Sequence, residues 1–125
     1  MTEQQMNEKF IKGKGFYNDK QYEGAVLIFM EIAQAGYADA QFMMGICCAG
    51  GHGAEKSEAE AARWFGKAAD QGSANAQNEL GVFYQLGAGV EQNLEKAVES
   101  YSMAAEQGHA EAKNVLNELE KRKII

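Results

Sequence analysis

Gly36, Gly72 and Gly108 stand 36 residues apart, and each sits in a phrase of the same pattern. The phrases are Ala33-Gln34-Ala35-Gly36-Tyr37-Ala38-Asp39-Ala40, Ala69-Asp70-Gln71-Gly72-Ser73-Ala74-Asn75-Ala76 and Ala105-Glu106-Gln107-Gly108-His109-Ala110-Glu111-Ala112. A fixed period of this length marks a chain built of stacked units. Such units bury their apolar faces against their neighbours, so the ends and the outer rows stay available as binding surface.

Aligning 37–72 with 73–108 leaves 12 identical positions, among them Ala40, Gln41, Gly45, Gly51, Gly53, Ala61 and Ala68. Each unit reads as two antiparallel helices, A and B. Helix A of the later unit spans 74–86, with Ala76, Leu80, Gly81 and Tyr84 on one face. Gly81 and Gly45 fall inside helices, where glycine costs about 1 kcal/mol against alanine; close approach of helix B is the expected compensation. Leu86-Gly87-Ala88-Gly89-Val90 forms the loop. Helix B follows over 93–107, with Asn93 placed to cap it. The equivalent Ser57 has Glu60 three residues on, a capping box. Ala97, Tyr101, Ala104 and Ala105 form the inward stripe of helix B, and Phe29, Phe65 and Tyr101 supply one aromatic per unit. The absence of proline leaves every helix uninterrupted.

These residues resemble the Sel1-like repeat family, a relative of the tetratricopeptide repeat. The family phrase Ala-x-x-x-Leu-Gly-x-x-Tyr-x-x-Gly-x-Gly-Val appears as Ala76, Leu80-Gly81, Tyr84, Gly87 and Gly89-Val90. Its Lys-Ala, aromatic pair and Lys-Ala-Ala-Glu-Gln-Gly appear as Lys96-Ala97, Tyr101 and Ala104-Ala105-Glu106-Gln107-Gly108. The preceding unit carries Ala40, Met44-Gly45, Cys48, Gly51, Gly53, Ala61, Trp64-Phe65 and Lys67 to Gly72, with Cys48 in place of the tyrosine. In the first 36 residues, Gly13 and Ala25 lie 12 apart where Gly45 and Ala61 lie 16 apart, so four loop residues are missing and the spacing is that of a tetratricopeptide hairpin.

The expectation is one all-α domain over 1–125. It is a short right-handed α-solenoid of about seven antiparallel helices: a tetratricopeptide-like hairpin at 2–36, Sel1-like repeats at 37–72 and 73–108, and a capping helix within 109–125. In the family, helix A of each unit lines the concave surface. The resemblance therefore assigns partner binding to the outward positions of the A helices. These are Asn7, Phe10, Lys14 and Tyr17; then Asp39, Phe42, Ile46 and Ala49; then Asn75, Asn78, Val82 and Gln85. Phe42 to Cys48 is apolar nearly all round and must bury more than one face. Phe42, Ile46 and Val82 either pack on the neighbouring unit or form an apolar patch for a partner segment.

Net charge is −6, which disfavours nucleic acid and anionic membrane as partners. Residues 1–5 are polar and no apolar run follows, so neither a leader nor a membrane span is expected. Cys47 and Cys48 are adjacent, their side chains about 100° apart on a helix, which suits two small buried thiols in a cytoplasmic protein better than a disulfide. His52 and His109 lie in turns and read as solvated rather than metal-bound. No phosphate loop or nucleophile–base pairing is evident, so no catalytic residue, cofactor or metal is expected.

The functional expectation is a non-catalytic bacterial adaptor or regulator that binds a peptide, loop or small domain of another protein. An acidic immunity protein that occludes a toxin is the alternative. A remoter one follows from the cysteine-rich relatives linked to β-lactam binding and hydrolysis, whose regular disulfide pairs this chain lacks.

Overall fold

The computed structural model describes all 125 residues. Seven helices run in order: α1 (Glu3–Asn18), α2 (Tyr22–Gln34), α3 (Ala38–Gly50), α4 (Glu58–Asp70), α5 (Ala74–Leu86), α6 (Leu94–Glu106) and α7 (Ala110–Lys121). There is no strand, and each helix packs on the next in sequence, giving a solenoid of antiparallel pairs. No helix is long and apolar enough to cross a membrane.

The A helices (α1, α3, α5) cross their B partners (α2, α4, α6) at a glycine. A Cβ on Gly45 would lie 2.5 Å from the Phe65 ring, and one on Gly81 would lie 2.7 Å from the Tyr101 ring. Gly13 stands in the same relation to Phe29, at 2.7 Å. Each unit thus seats one fully buried aromatic against bare backbone.

Side chains close the helix ends. Ser57 accepts from the Glu60 N–H, Ser73 from Ala76, Asn93 from Lys96 and His109 from Ala112. The capping box expected at Ser57 is only half made, because the Glu60 carboxylate pairs with Arg63 instead. A complete box forms at Thr2 and Gln5, which sequence reasoning missed.

A glutamine ladder ties the units together. The Gln71 amide donates to Gly36 O (2.9 Å) and to Gln41 Oε1 (2.8 Å), and the Gln41 amide donates to Ala33 O (3.1 Å). One repeat later Gln107 donates to Gly72 O and Gln77 Oε1, both at 2.9 Å. Gln41 and Gln77 are buried, so these bonds satisfy groups that water cannot reach.

The A-helix burial is rotated from the expected stripe. Leu80 and Tyr84 are only half-buried, while Gln77, Asn78 and Phe83 are buried. In helix B, Ala97, Tyr101 and Ala104 are buried as expected, but Ala105 is half-exposed.

Candidate interaction face

The residues assigned to the outer face fall into rows once the offsets of 32 and 36 residues are applied. Asn7, Asp39 and Asn75 form the first row, and all are exposed. Two of them already have partners within the chain. Asn7 accepts from the Tyr37 hydroxyl, and Asn75 Oδ1 faces His109 Nε2 at 3.0 Å. His109 Nδ1 accepts the Ala112 N–H, so its proton sits on Nε2 and donates to Asn75. His109 is therefore a structural cap, not a solvated turn residue.

Phe10, Phe42 and Asn78 form the second row. Phe10 is half-buried against Phe29 and Tyr37, at ring-centroid distances of 5.7 and 5.5 Å. Phe42 lies against Phe65 at 5.7 Å. Asn78 is a correction: only 2% of it is exposed, so it does not belong to an outer face. It sits where the earlier units place half-buried phenylalanines, and its Oδ1 has no hydrogen-bond partner. The helical period alone cannot separate an outer row from one that the neighbouring helices cover.

Lys14, Ile46 and Val82 form the third row, each half-buried; Ile46 packs on the main core and Val82 on the smaller one. Tyr17, Ala49 and Gln85 form the fourth. Tyr17 is edge-on to Tyr22 at 5.1 Å, and its hydroxyl lies 3.4 Å from His52 Nδ1. The His52 ring stacks on Tyr22 at 4.6 Å, so this histidine too is packed rather than free. Gln85 Oε1 accepts the Tyr101 hydroxyl at 2.7 Å.

The rows continue into α7, where sequence reasoning saw only a polar cap. Glu111, Asn114 and Glu118 lie 36 residues beyond Asn75, Asn78 and Val82. With Gln85, Val115 and Leu119 they line an open groove of about 350 Å³ between α5 and α7. At the other end, Met6, Asn7, Tyr37 and Asp39 line a cavity of about 510 Å³ between α1 and α3. The 36-residue offset was the signal that could have found the α7 residues.

Two carboxylates, Glu111 and Glu118, line the groove together with Arg122, whose guanidinium lies 3.8 Å from Glu118. Burial and, secondarily, the nearby Glu111 hold the Glu79 carboxyl above its ordinary value, with His109 opposing. Burial pushes the Tyr101 hydroxyl up to about 12, reinforced by Glu111 and Glu79. Cys47 and Cys48 are buried free thiols behind this face, and burial raises Cys47 to about 11. A protonated, enclosed thiol of that kind is a packing group, not a nucleophile.

The Sel1 repeat family model matches residues 38–73 and 74–109. A Sel1 repeat protein from Oxalobacter formigenes superposes with a TM-score of 0.84 at 37% identity, over 88% of this chain and 45% of that one. The protective antigen c5321 of uropathogenic Escherichia coli, which displays an SLR fold, gives 0.90 at 31% identity, over 94% and 26%. Helicobacter pylori cysteine rich protein B shares the fold at 15% identity, with a TM-score of 0.71 over 92% and 97%. The chain thus spans less than half of the first two neighbours. No curated protein matches the sequence.

Proposed function

This chain belongs to the Sel1 repeat family, and from that premise we propose that it is a non-catalytic adaptor or regulator holding a segment of another protein along the row formed by α1, α3, α5 and α7. Sel1 repeat proteins are generally non-catalytic modules that bind other proteins. The observation that carries the finer reading is the pair of open grooves between successive A helices, one at α1–α3 and one at α5–α7. Asp39, Glu111 and Glu118 are exposed along that row. Their acidity and the net charge of −6 favour a segment bearing basic residues. We place this activity in the cytoplasm because Cys47 and Cys48 are unpaired.

The test is affinity capture from a bacterial lysate with wild type and with Asp39→Lys/Asn114→Arg. Both substituted positions are exposed, so circular dichroism should be unchanged, and melting should fall only slightly, through loss of the acidic group in the first turn of α3. A protein captured one-to-one by wild type and lost by the folded variant supports the reading. A partner held equally by both variants places binding elsewhere and overturns it.

A further inference from the structure

The two complete repeats correspond element for element, with α4 and α6 each 13 residues long and offset by 36. That register exposes a pair of side chains missing from the later unit. In the earlier unit Trp64 belongs to the main core with Ala33, Met44 and Cys48, and Lys67 Nζ lies 4.6 Å from the indole centroid. The equivalent positions in α6 hold Ser100 and Met103. Met44 and Cys48 are buried, whereas their counterparts Leu80 and Tyr84 are only half-buried. The result is a crevice of about 230 Å³ between α4 and α6, floored by α5.

The charge at the rim also shifts toward acid. Arg63 and Glu60 of the earlier unit become Glu99 and Lys96, a swap that leaves their sum unchanged, while Gln34 becomes Asp70 and Lys67 becomes Met103. Neither Glu99 nor Asp70 takes part in an ion pair. Lys96, the one cation on the lining, sits 5.5 Å from the Tyr84 ring centroid. Residues 73–108 hold five acidic side chains against this single basic one.

We infer that this crevice is a second docking site, separate from the A-helix row, that takes a tryptophan-sized apolar side chain flanked by a cation from a partner protein. The apolar floor of Leu80 and Tyr84 receives the ring. Asp70 and Glu99 receive the charge, as the rim groups of a desolvated anchor. Trp64 with Lys67 is the chain's own example of that pair in that place.

The probe is an acetylated, amidated peptide copying residues 61–67 (Ala-Ala-Arg-Trp-Phe-Gly-Lys), titrated into the intact 15N-labelled protein. We expect saturable amide shifts at Leu80, Tyr84, Ser100 and Met103, with a Kd below about 1 mM. A peptide with Ala for Trp should lose them, and one with Glu for Arg and Lys should bind about tenfold more weakly. Ser100→Trp fills the crevice and should abolish binding. If that variant does not fold, Asp70→Lys/Glu99→Lys, both exposed, should weaken it about tenfold. The proposal is overturned by absence of saturable shifts, by shifts centred on the A-helix row, or by equal binding of the Trp-free peptide. Crevice shifts on simply concentrating the protein would make the occupant a second copy and overturn it as well.

Discussion

Gly45 and Gly66 lie in neighbouring helices yet should respond oppositely to alanine. Alanine at Gly66 meets nothing within 4 Å, and the same is true of Gly15. Either change should stabilise the protein by about 0.5–1 kcal/mol through helix propensity. Alanine at Gly45 meets the fully buried Phe65 ring, which has nowhere to move, so it should destabilise by about 1–3 kcal/mol despite the same propensity gain. Urea unfolding of the three variants checks the sign. The turn glycines sort in the same way. Gly89 and Gly108 both have positive φ, at 66° and 90°. Only a Cβ at Gly89 would strike the backbone carbonyl of Glu58, while one at Gly108 has open space. Gly89→Ala should therefore destabilise more than Gly108→Ala, whose cost is the left-handed conformation alone, about 1–2 kcal/mol. The buried thiol gives a pH dependence. The unfolded chain releases the Cys47 proton above its ordinary value of 9.0, whereas the fold holds it to about 11. The unfolded state then binds fewer protons, so this contribution is fully present below pH 9 and is lost as pH rises toward 11. The urea midpoint should fall across that interval, and it should fall less in Cys47→Ala.

Between elements, contact rests on devices that recur with the repeat. The glutamine ladder links the end of one B helix, through the start of the following A helix, to the end of the next B helix (Ala33 O, Gln41 and Gln71; then Ala69 O, Gln77 and Gln107), and Ala35 stands where Gln71 and Gln107 stand later. The first hairpin therefore gives the ladder only acceptors, Ala33 O and Gly36 O, and no donor of its own, and it also lacks the four loop residues. Those residues matter because each long loop lays its second glycine on the first turn of the preceding B helix: Gly53 on Tyr22, Gly89 on Glu58. Replacing Gln71 by alanine removes the donor to Gln41 Oε1 and Gly36 O together. A loss of about 1–3 kcal/mol is expected, since Gln41 stays buried. Gln71→Glu should be no better, because a carboxylate cannot donate to either oxygen. Denaturation of both variants tests the point.

At the scale of the whole molecule, the core is unevenly distributed. Seventeen buried residues from α2 to α5 form one cluster, while α6 and α7 contribute a separate one of four. Amide exchange in α3 and α4 should accordingly be slower than in α6 and α7. Much of this architecture was legible in the sequence, because a stacked repeat writes its helix period, loop glycines and caps at fixed offsets. Helix A at 74–86, the caps Ser57 and Asn93, and the close approach of helix B at Gly45 and Gly81 follow from residue type and spacing, while the aromatic ring that each glycine seats is seen only in the fold. The binding face was less legible. Asn78 looked outward by helical period, but burial there depends on how the neighbouring helices cover it. Asn7 and Asn75 looked free, but their partners come from a turn about 30 residues away. Glu111, Asn114 and Glu118 went unseen because α7 read as a cap. The central claim is that a partner lies along the A-helix row, and the most direct measurement is hydrogen–deuterium exchange on this protein alone and bound to its captured partner. We expect new protection on the exposed faces of α1, α3, α5 and α7, strongest at α5–α7, with α2, α4 and α6 little changed. Protection confined to α2, α4 and α6 would contradict the claim.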